Sequence, residues 1–121
     1  MIRRHTISVK NAARGVVWAF RTQPNFKVHV FLSTLAILGA LFFRISYIEC
    51  LIIVILISTG LVIEMINTAL EATNDAISVE WRQSIKFAKD AAAGAMLIYA
   101  VGAFTCACFI FIPKIILFLG F

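Results

Sequence analysis

Charge is scarce in this chain. Only 14% of its 121 residues are Asp, Glu, Lys or Arg, against 62% hydrophobic residues and a mean hydropathy of +0.98. Soluble domains hold roughly 45–50% apolar residues, and a water-exposed fold of this size cannot bury such an excess. The composition therefore excludes a soluble protein and implies one membrane domain spanning 1–121. Acids are rarest: there are six, and none precedes the first apolar run, which follows Arg3, Arg4, Lys10, Arg14, Arg21 and Lys27. Proline occurs twice, at Pro24 and Pro113. Cys50, Cys106 and Cys108 sit inside apolar runs without Cys or His partners at metal-ligand spacing, so they read as small hydrophobes and not as a disulfide or zinc framework. The first 25 residues contain no continuous apolar stretch of the kind that marks a secretory leader, and no cleavage is expected. Repeats, low-complexity tracts and linkers are also missing.

What is present is helical patterning. Thr6 to Arg21 reads as a helix with Thr6 or Ser8 as N-cap, ended by Pro24. On a wheel of roughly 100° per residue, Lys10, Arg14 and Arg21 share one side while Val9, Ala13, Val16 and Phe20 gather opposite. That pattern suits an amphipathic helix in the membrane interface, with Trp18 as an anchor. Three apolar spans follow, at about 26–43, 47–70 and 91–112, the last with Pro113 and Lys114 beyond it. The fold class expected is thus all-α: a surface helix plus three transmembrane helices. With the N-terminus in the cytoplasm of a cell (inner) membrane, the six N-terminal basic residues and Arg82, Lys86 and Lys89 lie inside, leaving Arg44 and Lys114 outside.

The acids that follow the second span need an explanation. Glu64, Asn67, Glu71 and Asp75, in "IEMINTALEATND", are spaced +3, +4 and +4, which lines them up as one polar stripe on a helix continuing to about Ile77. Like charges at i, i+4 repel, and an ionisable group inside a membrane costs several kcal/mol unless it is paired. Three remedies are open: structural pairing with Lys89 or a basic residue of the surface helix, occupancy by protons or sodium in a channel or transporter, or binding of a divalent cation. Basic residues flank the stripe on both sides, including Lys86, Lys89 and Asp90 one helical turn apart in "RQSIKFAKD". Acids that can hold metal beside Lys and Arg that can hold phosphate suit a nucleotide polyphosphate. Neither a G-x-x-x-x-G-K-[ST] loop nor an H-R-D loop occurs, which excludes P-loop enzymes and relatives of protein kinases. No nucleic-acid partner is expected.

"EMINTALEATND" (64–75), "FAKDAAAGAMLI" (87–98) and, upstream, "SVKNAARGVVWAFRTQPNFKVHV" (8–30) closely resemble the signature of the small prokaryotic integral-membrane diacylglycerol kinases, a family that includes undecaprenol kinases. The resemblance implies a homotrimer that moves the γ-phosphoryl of MgATP to the hydroxyl of a membrane lipid. It implies Glu64 as general base, Glu71 as metal ligand, and Asn67 and Asp75 as their supporting neighbours. Lys89 and Asp90 match positions that meet the nucleotide phosphates, and Glu80, Trp81 and Arg82 the loop that meets the nucleotide. Asn11, Arg14 and Gly15 match positions near nucleotide and lipid. Gln23 departs from the pattern: the family usually places a glutamate there that shares the metal with the equivalent of Glu71, and an amide is a weaker ligand for a hard dication. His29 reads as a polar residue near the interface. The other readings are a cation channel or proton-coupled transporter using the stripe, and a catalytically inactive membrane scaffold.

Overall fold

A computed structural model describes the backbone of residues 2–77 and 80–120, and the side chains of residues 7–77 and 80–120. Four helices account for nearly all of it: α1 (Ile2–Thr22), α2 (Pro24–Phe42), α3 (Tyr47–Ile77) and α4 (Gln83–Phe118). Among the described residues, α2, α3 and α4 are the helices long and apolar enough to cross a membrane. Much of α3 is Ile and Val, residues that favour strands in water. Within lipid an open strand edge cannot be solvated, so the segment closes its backbone hydrogen bonds on itself. α3 lies centrally, packed against α4 and α2, and α1 rests on α2 and α3.

Local chemistry sets the helix ends. Gln23 is extended (φ −99°, ψ 113°) because Pro24 disfavours helical backbone before it, and Pro24 then opens α2 at a position where its missing N–H costs nothing. One residue thus separates α1 from α2. α2 closes in a Schellman motif: the Arg44 N–H donates to the Leu41 carbonyl (3.3 Å) and the Ile45 N–H to the Ala40 carbonyl (3.2 Å). That motif puts Arg44 at φ +49°, where glycine is the usual occupant; α4 does place Gly120 (φ +81°) at its own end. α3 starts with a capping box. The Ser46 N–H donates to Glu49 Oε2 (2.7 Å), and the Glu49 N–H donates to Ser46 Oγ (3.3 Å).

Two sequence expectations need correction. Thr6 and Ser8 lie inside α1, not at its cap, because the helix begins at Ile2; the side chains of Arg3, Arg4 and Thr6 fall outside the described residues. α4 also runs through Pro113 to Phe118 instead of ending at Ile112. Pro113 removes one backbone donor, a loss that spanning helices tolerate. Lys114, carried on that continuation, donates to Glu49 Oε1 at 2.6 Å and ties α4 to the start of α3. Next to this pair Phe42, Phe43, Phe111 and Phe118 cluster, with ring centroids 5.0–6.3 Å apart. Phe111 also lies against Gly39, where an added Cβ would meet its ring at 3.1 Å. At Gly60 the fit is closer: a Cβ would meet Tyr99 at 2.7 Å, and the Tyr99 hydroxyl donates to the Leu56 carbonyl. By contrast, a Cβ at Gly102 would meet nothing within 4 Å in the single chain, so that glycine performs no packing role here.

Candidate active site

All four residues of the polar stripe lie on α3, which extends to Ile77. At 1.5 Å per residue the helix is roughly 46 Å long, against about 30 Å of hydrocarbon. Its surplus turns carry Asn67, Glu71 and Asp75. Burial falls along the stripe. Glu64 is 2% exposed and Asn67 5%, Glu71 is half-buried, and Asp75 is exposed.

The stripe is neutralised unevenly. Lys89 Nζ donates to Asp75 Oδ1 at 2.5 Å, so structural pairing, one of the three remedies, holds for Asp75. Lys86 pairs with Asp90 at 2.8 Å one turn along α4. Glu64 and Glu71 receive no cation from the described residues. Asn67 reaches Glu71 alone, its Nδ2 donating to Glu71 Oε1 at 3.3 Å. Buried Glu64 Oε2 and Asn67 Oδ1 have no hydrogen-bond partner at all. Leaving buried oxygens unsatisfied is costly, which marks these two atoms as candidates to meet a ligand.

Two pockets flank the stripe. Toward the apolar part of the molecule, Glu64 lines a cavity of about 230 Å³ with Asn25, Val28, His29, Met96, Leu97 and Ala100. At the other end, Asp75, Glu80, Trp81, Arg82, Ile85, Lys86, Lys89 and Asp90 surround about 580 Å³. This second pocket faces the start of α4, whose N-cap Arg82 has no side-chain cap. Free N–H groups at a helix N-terminus, together with Lys86 and Lys89, attract anions.

The sequence-predicted residues are therefore brought together in part. Glu80, Trp81, Arg82, Lys89 and Asp90 share one pocket with Asp75, and Glu64, Asn67 and Glu71 form a contiguous strip. Asn11 and Arg14 are exposed on α1, and Gly15 is half-buried with open space around it. Gln23 caps α2, its Nε2 donating to Thr22 Oγ1 at 3.3 Å, and no hydrogen bond joins it to Glu71. Sequence reasoning missed Asn25, Met96, Leu97 and Ala100 as neighbours of Glu64. Matching the depth of α2 and α4 to that of Glu64 would have found them. It also missed the S-x-x-E capping box at Ser46–Glu49.

The oxygen donors fit a small hard dication. No group of three or more His, Cys, Asp or Glu side chains converges among the described residues. Mg²⁺ suits such a sparse set, since it keeps several waters and binds through one or two carboxylates plus substrate phosphates.

Residues 10–111 match the family described as prokaryotic diacylglycerol kinase. The chain belongs to that family. Among curated proteins it is similar to an undecaprenol kinase of Bacillus subtilis, 36% identical over 108 residues that cover 89% of this chain and 88% of that protein. It is also similar to a diacylglycerol kinase of Synechocystis, 34% identical over 98 residues, covering 80% of this chain and 56% of that longer protein. With three apolar helices and this family, the chain is a membrane protein.

Proposed function

We propose that this protein is a lipid kinase that transfers the γ-phosphoryl of ATP to the hydroxyl of a membrane lipid alcohol. One observation carries the reading. Of the stripe's acids only Asp75 has an ion pair among the described residues, while Glu64 and Glu71 receive no cation; a small pocket borders Glu64, and one lined by three basic and three acidic side chains borders Asp75. A lipid hydroxyl fits the first pocket and a polyphosphate the second. Family membership and two relatives that are named kinases support it. Neither the channel nor the inactive scaffold is favoured.

In this reading the Glu64 carboxylate accepts the proton of the lipid hydroxyl as that oxygen bonds to the γ-phosphorus and the bond to the ADP oxygen breaks. Asn67 holds Glu71 in place, and the Glu71 carboxylate with the Gln23 amide oxygen would hold the metal. Mg²⁺, when bound, supplies charge neutralisation at the phosphates. Lys89, released from Asp75, and Lys86, Arg82 and the α4 N-terminus hold the phosphate chain. Trp81, 76% exposed, offers a flat face to the base. Asn11, Arg14 and Gly15 of α1 border the nucleotide and lipid. Nine of the eleven basic residues precede the first span or lie between the second and third, and this bias supports a cytoplasmic site and N-terminus. α1 lies in the interface with its exposed apolar face toward lipid and Trp18, beside Lys10, Arg14 and Arg21, at headgroup level, and three copies form the active unit.

Purified protein in mixed micelles with MgATP should place phosphate on a lipid alcohol. Glu64→Gln should lower turnover by roughly 10²–10⁴-fold, and Glu71→Ala should abolish it without changing the assembled mass. Ion flux through vesicles without ATP consumption would instead support the channel.

A further inference from the structure

We infer that the basic face of α1 is a binding site for the headgroups of acidic phospholipids, with Lys10, Arg14 and Arg21 holding the phosphate and Trp18 packing beside it. This goes beyond the lipid-kinase reading and does not depend on it. The chain contains no Asp or Glu before Glu49, so α1 carries cations and no acid. Among the described residues, none of Lys10, Arg14 and Arg21 has an ion pair. All three lysines of α4 do: Lys86 meets Asp90, Lys89 meets Asp75 and Lys114 meets Glu49, at 2.5–2.8 Å. α4 neutralises its lysines from within the chain, whereas the basic face of α1 must be neutralised from outside.

The three cations share an open groove of about 480 Å³ with Val17 and Trp18, and no other helix contributes to its walls. Its direction follows from the helix itself. At roughly 100° per residue the cations project within about 40° of one another and roughly opposite Ala19. Ala19 is fully buried, on the side where α1 rests on α2 and α3. Val9, Val16 and Phe20 are exposed and project about a third of a turn from the basic face. α1 therefore has one side for the bundle, one for acyl chains and one for headgroups. At such a boundary Lys and Arg lay their apolar stems along the lipid and extend their charges to the phosphates. The guanidinium groups of Arg14 and Arg21 offer paired N–H donors to phosphate oxygens. A zwitterionic headgroup would bring its own ammonium against three cations, and an acidic one would not.

The test uses the full-length protein in bilayers, with Trp81→Phe leaving Trp18 as its one tryptophan. Trp18 fluorescence is quenched by phosphatidylglycerol or phosphatidylcholine carrying brominated chains. Phosphatidylglycerol should be preferred at Trp18 by at least about tenfold. Lys10→Gln and Arg21→Gln should each cut that preference by roughly fivefold, the effect of one basic residue at a membrane surface. Lys10→Arg should preserve it. Lys27→Gln, which removes a charge outside the groove, should change it by less than about twofold. Arg14 is left intact, because the proposed reaction places it near the nucleotide. Equal quenching by the two lipids overturns the proposal, as does a preference that survives Lys10→Gln and Arg21→Gln together. Equal losses in Lys27→Gln and Lys10→Gln would reveal a diffuse surface charge in place of a site, and also overturn it. So does displacement of the acidic lipid by MgATP, which would assign the groove to the nucleotide. No turnover enters the readout, so failure here and failure of the kinase reading are told apart.

Discussion

At the scale of single residues, what matters is which charges the chain satisfies for itself. Asp75 and Lys89 are both substantially exposed, so their ion pair contributes under about 1 kcal/mol and is weak enough to yield Lys89 to a phosphate. Glu64 is buried and has no such partner among the described residues. The difference between these two acids, eleven residues apart on one helix, supports the proposed division of structural from chemical duty. Gln23 is the other informative position. Its amide retains an oxygen but lacks charge, so Gln23→Glu should lower the Mg²⁺ concentration needed for half-maximal turnover severalfold. A metal titration that does not move would remove Gln23 from the ligand set.

At the scale of elements, two helix positions carry measurable consequences. Arg44 occupies left-handed backbone at the end of α2, where a side chain is strained. Arg44→Gly should therefore stabilise the protein by about 1 kcal/mol, read as a higher melting temperature in detergent. Gly60 has the opposite character, since any Cβ there collides with the Tyr99 ring. Gly60→Ala should destabilise by about 1–3 kcal/mol, and a double-mutant cycle with Tyr99→Ala should recover most of that loss. The elements also show what sequence could and could not disclose. The break at Gln23–Pro24, the continuation of α3 to Ile77 and the alignment of the four polar residues were legible, because proline chemistry and helical spacing act locally. The extension of α4 past Pro113 was not, because the ion pair of Lys114 with Glu49 joins residues 65 apart in sequence. Nor was the company of Glu64, which depends on how deep α2 and α4 sit beside it. His29 read as a bland interfacial residue, yet it lines the pocket of Glu64. The pairing of Lys89 was anticipated as one option among three, but nothing in spacing alone could say that Asp75, and not Glu71, would receive it.

At the scale of the whole molecule, the two ends of the bundle are built differently. One end is fastened by the Ser46–Glu49 box, the Lys114 pair and four packed phenylalanines. The other carries the exposed pockets and paired but solvent-accessible charges. Lys114→Met should therefore lower the unfolding temperature while leaving turnover and the KM for ATP unchanged. A matching fall in turnover would mean that the fastened end communicates with the site.

α3 is a single unbroken rod from Tyr47 to Ile77, and on the proposed role of Glu64 this would tie catalysis to the bilayer itself. Glu64 stands roughly 26 Å along the axis from Tyr47 and cannot adjust its height by itself. A thicker or thinner host bilayer must tilt the rod or deform around it, raising or lowering the carboxylate relative to the headgroup plane. If Glu64 is the base proposed above, the thickness of the surrounding lipid would act as a ruler for the reaction.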